Sequence, residues 1–281
     1  MQILEYDEWA PQAAAHAARV DQWVQPHLER RRRGEKHPVL DFIFSYYNYR
    51  PAALRRWHPG YGFALASAEE YAQLKGYESV GPAVGVSTSY VESQRPLINS
   101  IHRLLVATRD RPATFGCFGL HEWAMVYRQD ETRHQLPLRL GGRGTDAVVE
   151  SHRIACSHFD AFRFFTDEAR PLNTLQPGRD DRPDFEQPGC LHASMDLYKH
   201  AYRLSPMIGS DLIADCLELA IAVREVDMRA SPYDLSELDY TAIPIETSAG
   251  KATYAAQQRG FAEQAAPLRE HLIALCERWA A

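Results

Sequence analysis

Titratable side chains recur at four-residue spacing inside otherwise apolar stretches, and this constrains the fold more than any other feature of the sequence. His152, Cys156 and Asp160 lie four apart in ESHRIACSHFDAFRFF, and His192, Asp196 and His200 do so in GCLHASMDLYKHAYR. On a helix each trio shares one face. Buried groups of this kind must find partners, because an unpaired charge in the interior is costly. Several such helices packed together would bring imidazoles and carboxylates into one interior place. Clusters of that sort mark functional sites, although structural ion-pair networks produce them too.

The rest of the periodicity also reads as helix. Residues 5–33 form an amphipathic helix through Trp9, Val20, Trp23, Val24 and Leu28, with an interruption near Pro26 and a stop at Gly34. Pro38 opens a segment over 38–49 in which Phe42, Tyr46 and Tyr49 follow helical spacing, and Pro51 starts a short helix through Arg55 and Arg56. Residues 77–90 are a loop or short strand, 92–109 a helix, LHEWAMVYR the start of another, 135–140 a short edge strand, and GGRGTDA a loop. Thr145 or Asp146 caps a helix running to about Phe165; helices over 190–204 and 210–229 follow. Pro232 and Pro244 frame a non-helical insert, and 251–280 is a final helix or pair joined at Pro267. The predicted fold class is mostly α: a single compact multi-helix domain over residues 1–281 with a few short strands or loops.

Composition narrows the function classes. The chain has 281 residues, 45% of them hydrophobic and 24% charged, which is ordinary for a soluble globular protein. No apolar run approaches the roughly 20 residues that span a bilayer, and MQILEYDEWA does not read as a signal peptide. Five cysteines without a CxxC read as reduced thiols of a cytoplasmic protein. HExxH, GxxxxGK[ST] and GxSxG are absent. His192/Asp196 and Asp196/His200 could each offer two metal ligands, but ESH at 150–152 misses the Glu-x-x-His spacing of dinuclear bundles. We therefore expect neither metal nor cofactor.

The net charge of −6 does not recommend nucleic acid as a partner, yet the charge is uneven. From Glu29 to His58 eight Lys or Arg face three acids. Within this region DFIFSYYNYRPAALRRWHPG interleaves Phe42, Phe44, Tyr46, Tyr47, Tyr49 and Trp57 with Arg50, Arg55 and Arg56. Phe42, Phe44 and Tyr46 are expected in the core. Tyr47, Tyr49, Arg50 and Trp57 are expected on a working surface. The run Arg30 to Arg33 reads as a solvated helix end.

That stretch, together with FGCFGLHEWAMVYR, SHFDAFRFFT, QPGCLHASMDLYKHAYRL and DMRASPYDL, resembles a family of bacterial cytoplasmic proteins commonly labelled 3-methyladenine DNA glycosylase. The likeness runs from roughly residue 7 to residue 280. It implies base excision from DNA, and related chains are connected with defence against phages whose DNA carries modified bases. The chain lacks the helix-hairpin-helix and catalytic aspartate, and the water-activating loop, of better-understood glycosylases.

Such an enzyme takes the target nucleotide out of the helix into a pocket. Aromatic stacking contributes about 1–3 kcal/mol per base. A carboxylate stabilises the oxocarbenium-like sugar, and a neutral leaving base needs a proton. Asp160, Glu122 and Asp196 are the candidate catalytic carboxylates, in that order, with an ion pair between Asp160 and Arg163 as the structural alternative. Tyr47, Tyr49, Trp57, His121, His158, His192 and Tyr233 are candidates for base binding, and Arg50, Arg55 and Arg56 for phosphate. The expected partner is DNA, with no membrane. The alternatives are a metal-dependent helical enzyme acting on a small molecule, and a non-catalytic DNA-binding module.

Overall fold

The computed structural model describes residues 1–130, 132 and 134–280. Twelve α-helices and four short strands make up the described chain, which is mostly α as expected. None of these helices is long and apolar enough to cross a membrane, and all five cysteines are free. The chain divides into two compact units. The first comprises Met1–Arg103, Leu197–Ala220 and Leu268–Ala281; the second comprises Leu104–Asp196 and Ile221–Pro267.

In the first unit a four-stranded sheet has the order β1 (Gln2–Leu4), β2 (Phe63–Ala66), β4 (Ala83–Val86), β3 (Tyr77–Val80). β1 runs parallel to β2; the other two pairings are antiparallel. β1 and β2 escape the sequence reading because three or four residues are too few to show alternation. The long helix α1 (Tyr6–Arg33) starts at a Glu5/Glu8 capping box and closes at Gly34. It is continuous through Pro26, because the buried stripe Trp9, His16, Val20, Val24 and His27 outweighs one missing hydrogen bond. The Trp9 indole donates to Ala66 O at 3.0 Å, tying α1 to the sheet. The expected 38–49 helix shrinks to α2 (Phe42–Tyr46) and ends before Asn48, whose φ of 53° breaks the helix. α3 (Pro51–Leu54) begins at its proline as predicted. α4 (Thr88–Ser93) and α5 (Arg95–Asp110) cover the helix expected near 92–109.

The second unit holds α6 (Leu120–Ala124), α7 (Gly141–Ser151), α8 (Phe159–Phe162), α9 (Arg182–Phe185) and parts of α10 (Leu191–Arg203), α11 (Ser210–Arg229) and α12 (Ser248–Ala280). The GGRGTDA segment is helical rather than a loop: it is the start of α7, with the Thr145 hydroxyl donating to Gly141 O at 2.8 Å. α7 does not reach Phe165. At its end His152 Nδ1 donates to Val148 O at 2.6 Å and the chain leaves extended. His152, Cys156 and Asp160 therefore share no helix, whereas His192, Asp196 and His200 do share α10. Residues 135–140 make a single antiparallel bridge, Leu138 to Tyr233, rather than a strand. α12 has no break at Pro267.

Gly250, in the first turn of α12, is closely approached. A Cβ there would lie 2.0 Å from Pro244 O. Helix propensity alone favours Gly250→Ala by about 1 kcal/mol. The clash should win, with a net loss of about 2–4 kcal/mol. Thermal unfolding should show Gly250→Ala melting several degrees below wild type; a higher melting temperature would contradict the packing described here.

Candidate active site

The interior of the second unit carries a connected set of ionisable side chains. α6 supplies two neighbours, His121 and Glu122, placed by a tight approach in which Phe118 and Gly119 both adopt left-handed backbone, with φ of 49° and 70°. α11 supplies Arg224 and Asp227, three residues apart on one face. Arg224 Nη1 lies 2.7 Å from Glu122 Oε1 and 3.1 Å from Asp227 Oδ2. Asp227 Oδ1 lies 2.9 Å from His121 Nε2. On its other side His121 Nδ1 lies 3.7 Å from Cys117 Sγ. All but Cys117 are buried.

A second cluster adjoins the first. His192 sits between two other imidazoles, with ring centroids 4.6 Å from His121 and 5.3 Å from His158. His158 Nε2 is 3.4 Å from Glu186 and 3.5 Å from Asp196. The Arg182 guanidinium reaches Glu186, Asp196 at 2.9 Å and Asp160 at 3.8 Å.

Irregular segments carry several of these groups, and buried amides hold them. The Asn173 side chain accepts from Cys156 N–H at 2.7 Å and donates to Cys156 O at 2.9 Å and Leu175 O at 2.6 Å. The Gln187 side chain accepts from the N–H groups of Thr114 and Gly189 and donates to Thr114 O. Buried loop backbone has to be satisfied, and here side chains do what a strand neighbour does elsewhere.

Charge counting shows what the histidines must answer. Glu122 and Asp227 meet at Arg224, and Glu186 and Asp196 meet at Arg182, two carboxylates to each guanidinium. Burial alone would lower the His121 pKa, but the adjoining Asp227 carboxylate more than offsets it and holds the pKa well above the ordinary value. In turn the His121 charge overcomes the burial penalty on Asp227 and keeps its carboxyl well below the usual range. His192 goes the other way: burial, reinforced by the His121 charge, takes it down to about 3. Two imidazoles in ring contact thus differ in protonation state at neutral pH.

These two rings, with Cys117, Cys156, Cys190 and Tyr254 among others, line a hollow of about 10 Å³, room for one water or ion. One donor atom each from His121, His192 and Asp227 lie within 4.8 Å of one another, close enough to suggest a cation site. The fit is incomplete, because both Asp227 oxygens already face His121 and Arg224.

The candidate carboxylates are all held by arginine. Asp160 lies on α8, a helix of only four residues, 3.3 Å from Arg163 Nε, and shares Arg182 with Asp196. Glu122 is held by Arg224. His121, His158 and His192 do come together. Tyr233 is buried beside His134. The remaining candidates lie in the first unit. Trp57 is 4% exposed and belongs to the core, which corrects its assignment to a stacking surface. Tyr49 is stacked on Tyr202 at 3.8 Å and parallel to Tyr47 at 6.0 Å. Phe44 is buried as expected, but Phe42 and Tyr46 are half-buried and stack on each other. Arg55 is engaged by Asp21 and Gln25, whereas Arg50 and Arg56 are exposed. Sequence reasoning marked the DMRASPYDL stretch that contains Asp227 without giving that residue a catalytic role, and passed over Arg224, Arg182 and Glu186. The signal available was Arg224 and Asp227 at three-residue spacing inside the apolar 210–229 helix.

No family model, curated protein or solved structure matches the chain.

The opposed protonation states fix the sign of the pH response. His192, depressed from 6.5 to about 3, contributes stability present above 6.5 and lost as pH falls toward 3. His121, raised, contributes stability present below 6.5 and lost as pH rises through its folded value. Urea unfolding across pH should show His192→Asn flattening the acid limb and His121→Asn flattening the alkaline limb. Imidazole ¹⁵N spectra at pH 7 should find His121 doubly protonated and His192 neutral; the reverse pattern would overturn this account.

Proposed function

We propose that the chain is a hydrolase of the DNA N-glycosylase type, using His121 and Asp227 where sequence reasoning put Asp160, Glu122 and Asp196. One observation carries the reading: His121 and His192 are in ring contact beside a hollow of one water's size, with the Asp227 carboxylate 2.9 Å from His121, and their pKa values are pushed in opposite directions. Neighbouring groups whose pKa values are pushed apart mark an acid and its complementary acceptor. The substrate class comes from the family resemblance alone.

In this scheme the C1′–N bond breaks and its electron pair leaves with the base. The His121 imidazolium donates a proton to a neutral leaving base, and Asp227, losing one of its two cationic partners while keeping Arg224, becomes the counter-charge for the oxocarbenium sugar. Water in the hollow adds to C1′ while His192 accepts a hydrogen bond from it. An oxocarbenium needs little base assistance, so the low basicity of His192 is tolerable. The proton released from water restores His121. The hollow has room for a water, not for a base. The base has to be received at the rim, where Cys117, Ala155 and Cys190 are partly exposed.

The metal-dependent alternative rests on the grouping of His121, His192 and Asp227. Elemental analysis of protein purified without chelator separates the two readings; a stoichiometric ion favours the metal enzyme.

The purified chain should form abasic sites in alkylated DNA or in phage DNA with modified cytosines. His121→Gln should cost roughly 10²–10⁴-fold on a neutral base and far less on a cationic alkylated one, which leaves without a proton. Failure of the wild type on both substrates, with and without added divalent metal, would sink the glycosylase reading. DNA binding that survives His121→Gln with no product ever formed would indicate a binding module.

A further inference from the structure

The reaction proposed above leaves Cys117 unused, although its Sγ lies 3.7 Å from His121 Nδ1. We propose that Cys117 is a modification site: a thiol nucleophile that hydrogen peroxide oxidises to a sulfenic acid, with His121 donating the proton that the departing oxygen needs.

The arrangement is that of a nucleophile, a proton-transferring imidazole and an orienting carboxylate. On one side of the ring Nδ1 faces Cys117 Sγ; on the other Nε2 lies 2.9 Å from Asp227 Oδ1. Such a set is recognised by geometry and roles, whatever the fold. Local backbone produces it here. Phe118 and Gly119, both left-handed, turn the chain from Cys117 into α6, and His121 follows four residues after the thiol. Arg224, 3.1 Å from Asp227 Oδ2, fixes the carboxylate that holds the ring.

The other four thiols lack this arrangement. Cys156, Cys216 and Cys276 are buried, and the Cys156 thiol donates to a backbone carbonyl, that of His158. Cys190 is half-buried and lines the same hollow as Cys117. Burial pushes all four of these thiols up, which keeps them protonated at neutral pH and slow to react. Cys117 is half-buried too, but it follows directly on the exposed Gly116.

Size and donor chemistry select the electrophile. The hollow has room for one water, so an acyl or alkyl chain does not enter it. A carbonyl electrophile also needs N–H donors for its oxyanion. The side-chain amides on the wall, Gln187 and Gln258, donate to the backbone carbonyls of Thr114 and Gly189 instead. Hydrogen peroxide is close to water in size and asks for one proton rather than an oxyanion hole. Cys117 Sγ attacks one peroxide oxygen; the S–O bond forms and the O–O bond breaks. The departing hydroxide takes the Nδ1 proton of His121 and leaves as water, and the thiol proton passes to His121. Sulfur loses two electrons and the peroxide gains them. Asp227 holds His121 protonated against the pull of burial, so the donor is in place before peroxide arrives.

Treatment of the whole chain with limiting hydrogen peroxide, trapping with dimedone and mapping by mass spectrometry tests the site. The product should be a dimedone adduct on Cys117, or a Cys117–Cys190 disulfide in which the Cys190 sulfur has displaced hydroxide, released as water with the Cys190 proton. Cys117 should react roughly 10²-fold faster than free cysteine at the same pH, the low end of what a positioned proton donor contributes. Cys117→Ser should abolish both products, with far-UV circular dichroism checking the fold. His121→Gln, checked in the same way, should slow the peroxide reaction about tenfold more than alkylation by iodoacetamide, whose iodide leaves without a proton. Oxidation falling first on another cysteine would overturn the proposal, as would a Cys117 rate no higher than that of free cysteine or equal slowing of the two reagents in His121→Gln. No DNA takes part in this measurement, so its failure leaves the excision chemistry standing, and the converse holds.

Discussion

A guanidinium keeps its proton at any pH a protein survives, so a buried Arg224 commits its surroundings to negative charge. Glu122 and Asp227 supply that charge from α6 and α11. The cost of desolvating all three is large, and it is recovered only while the geometry holds. The conformation of α6, the rotamer of Asp227 and the protonation of His121 are therefore one constraint expressed three times. Arg182 repeats the pattern with Glu186 and Asp196. Against the pull of burial, Asp227 raises the pKa of His121, while burial, reinforced by the His121 charge, lowers that of His192.

The first unit uses a different economy. Its charges lie mostly at the surface and pair locally, as Arg19 does with Asp215 and Glu218. Such exposed pairs contribute little to stability. Tyrosines and short β-strands do much of the packing, and the buried charges include Asp41, held by Arg30, and Arg269. His16 and His58 line a hollow with no carboxylate among its lining residues.

The sequence made helices legible where they were long. α1, α10 and α11 lie within a residue or two of the expected bounds, because their apolar stripes persist over several turns. It failed where a single side chain decides the backbone. His152 ends α7 by taking a carbonyl, and nothing in the periodicity distinguishes it from a histidine on a continuing helix. Asn48 cuts the aromatic helix short in the same way. At the site, His121, His158 and His192 were visible as polar residues in apolar company. Asp196, beside His158, was visible too, but the pairing of Asp227 with His121 was not. An acid in sequence proximity to an arginine, such as Asp160 with Arg163, is as readily neutralised as catalytic. Asp227 meets His121 only after more than a hundred residues of intervening chain have folded.

Asn173 also bears on how securely the second unit holds its centre. Its amide nitrogen faces two carbonyl oxygens, those of Cys156 and Leu175, while its oxygen faces an N–H. Deamidation exchanges that nitrogen for oxygen, setting a carboxylate against both carbonyls. The segment bearing Cys156 through His158 would then be repelled by the residue that anchored it. Spontaneous chemical ageing at this one position could loosen the histidine cluster without changing any residue within it.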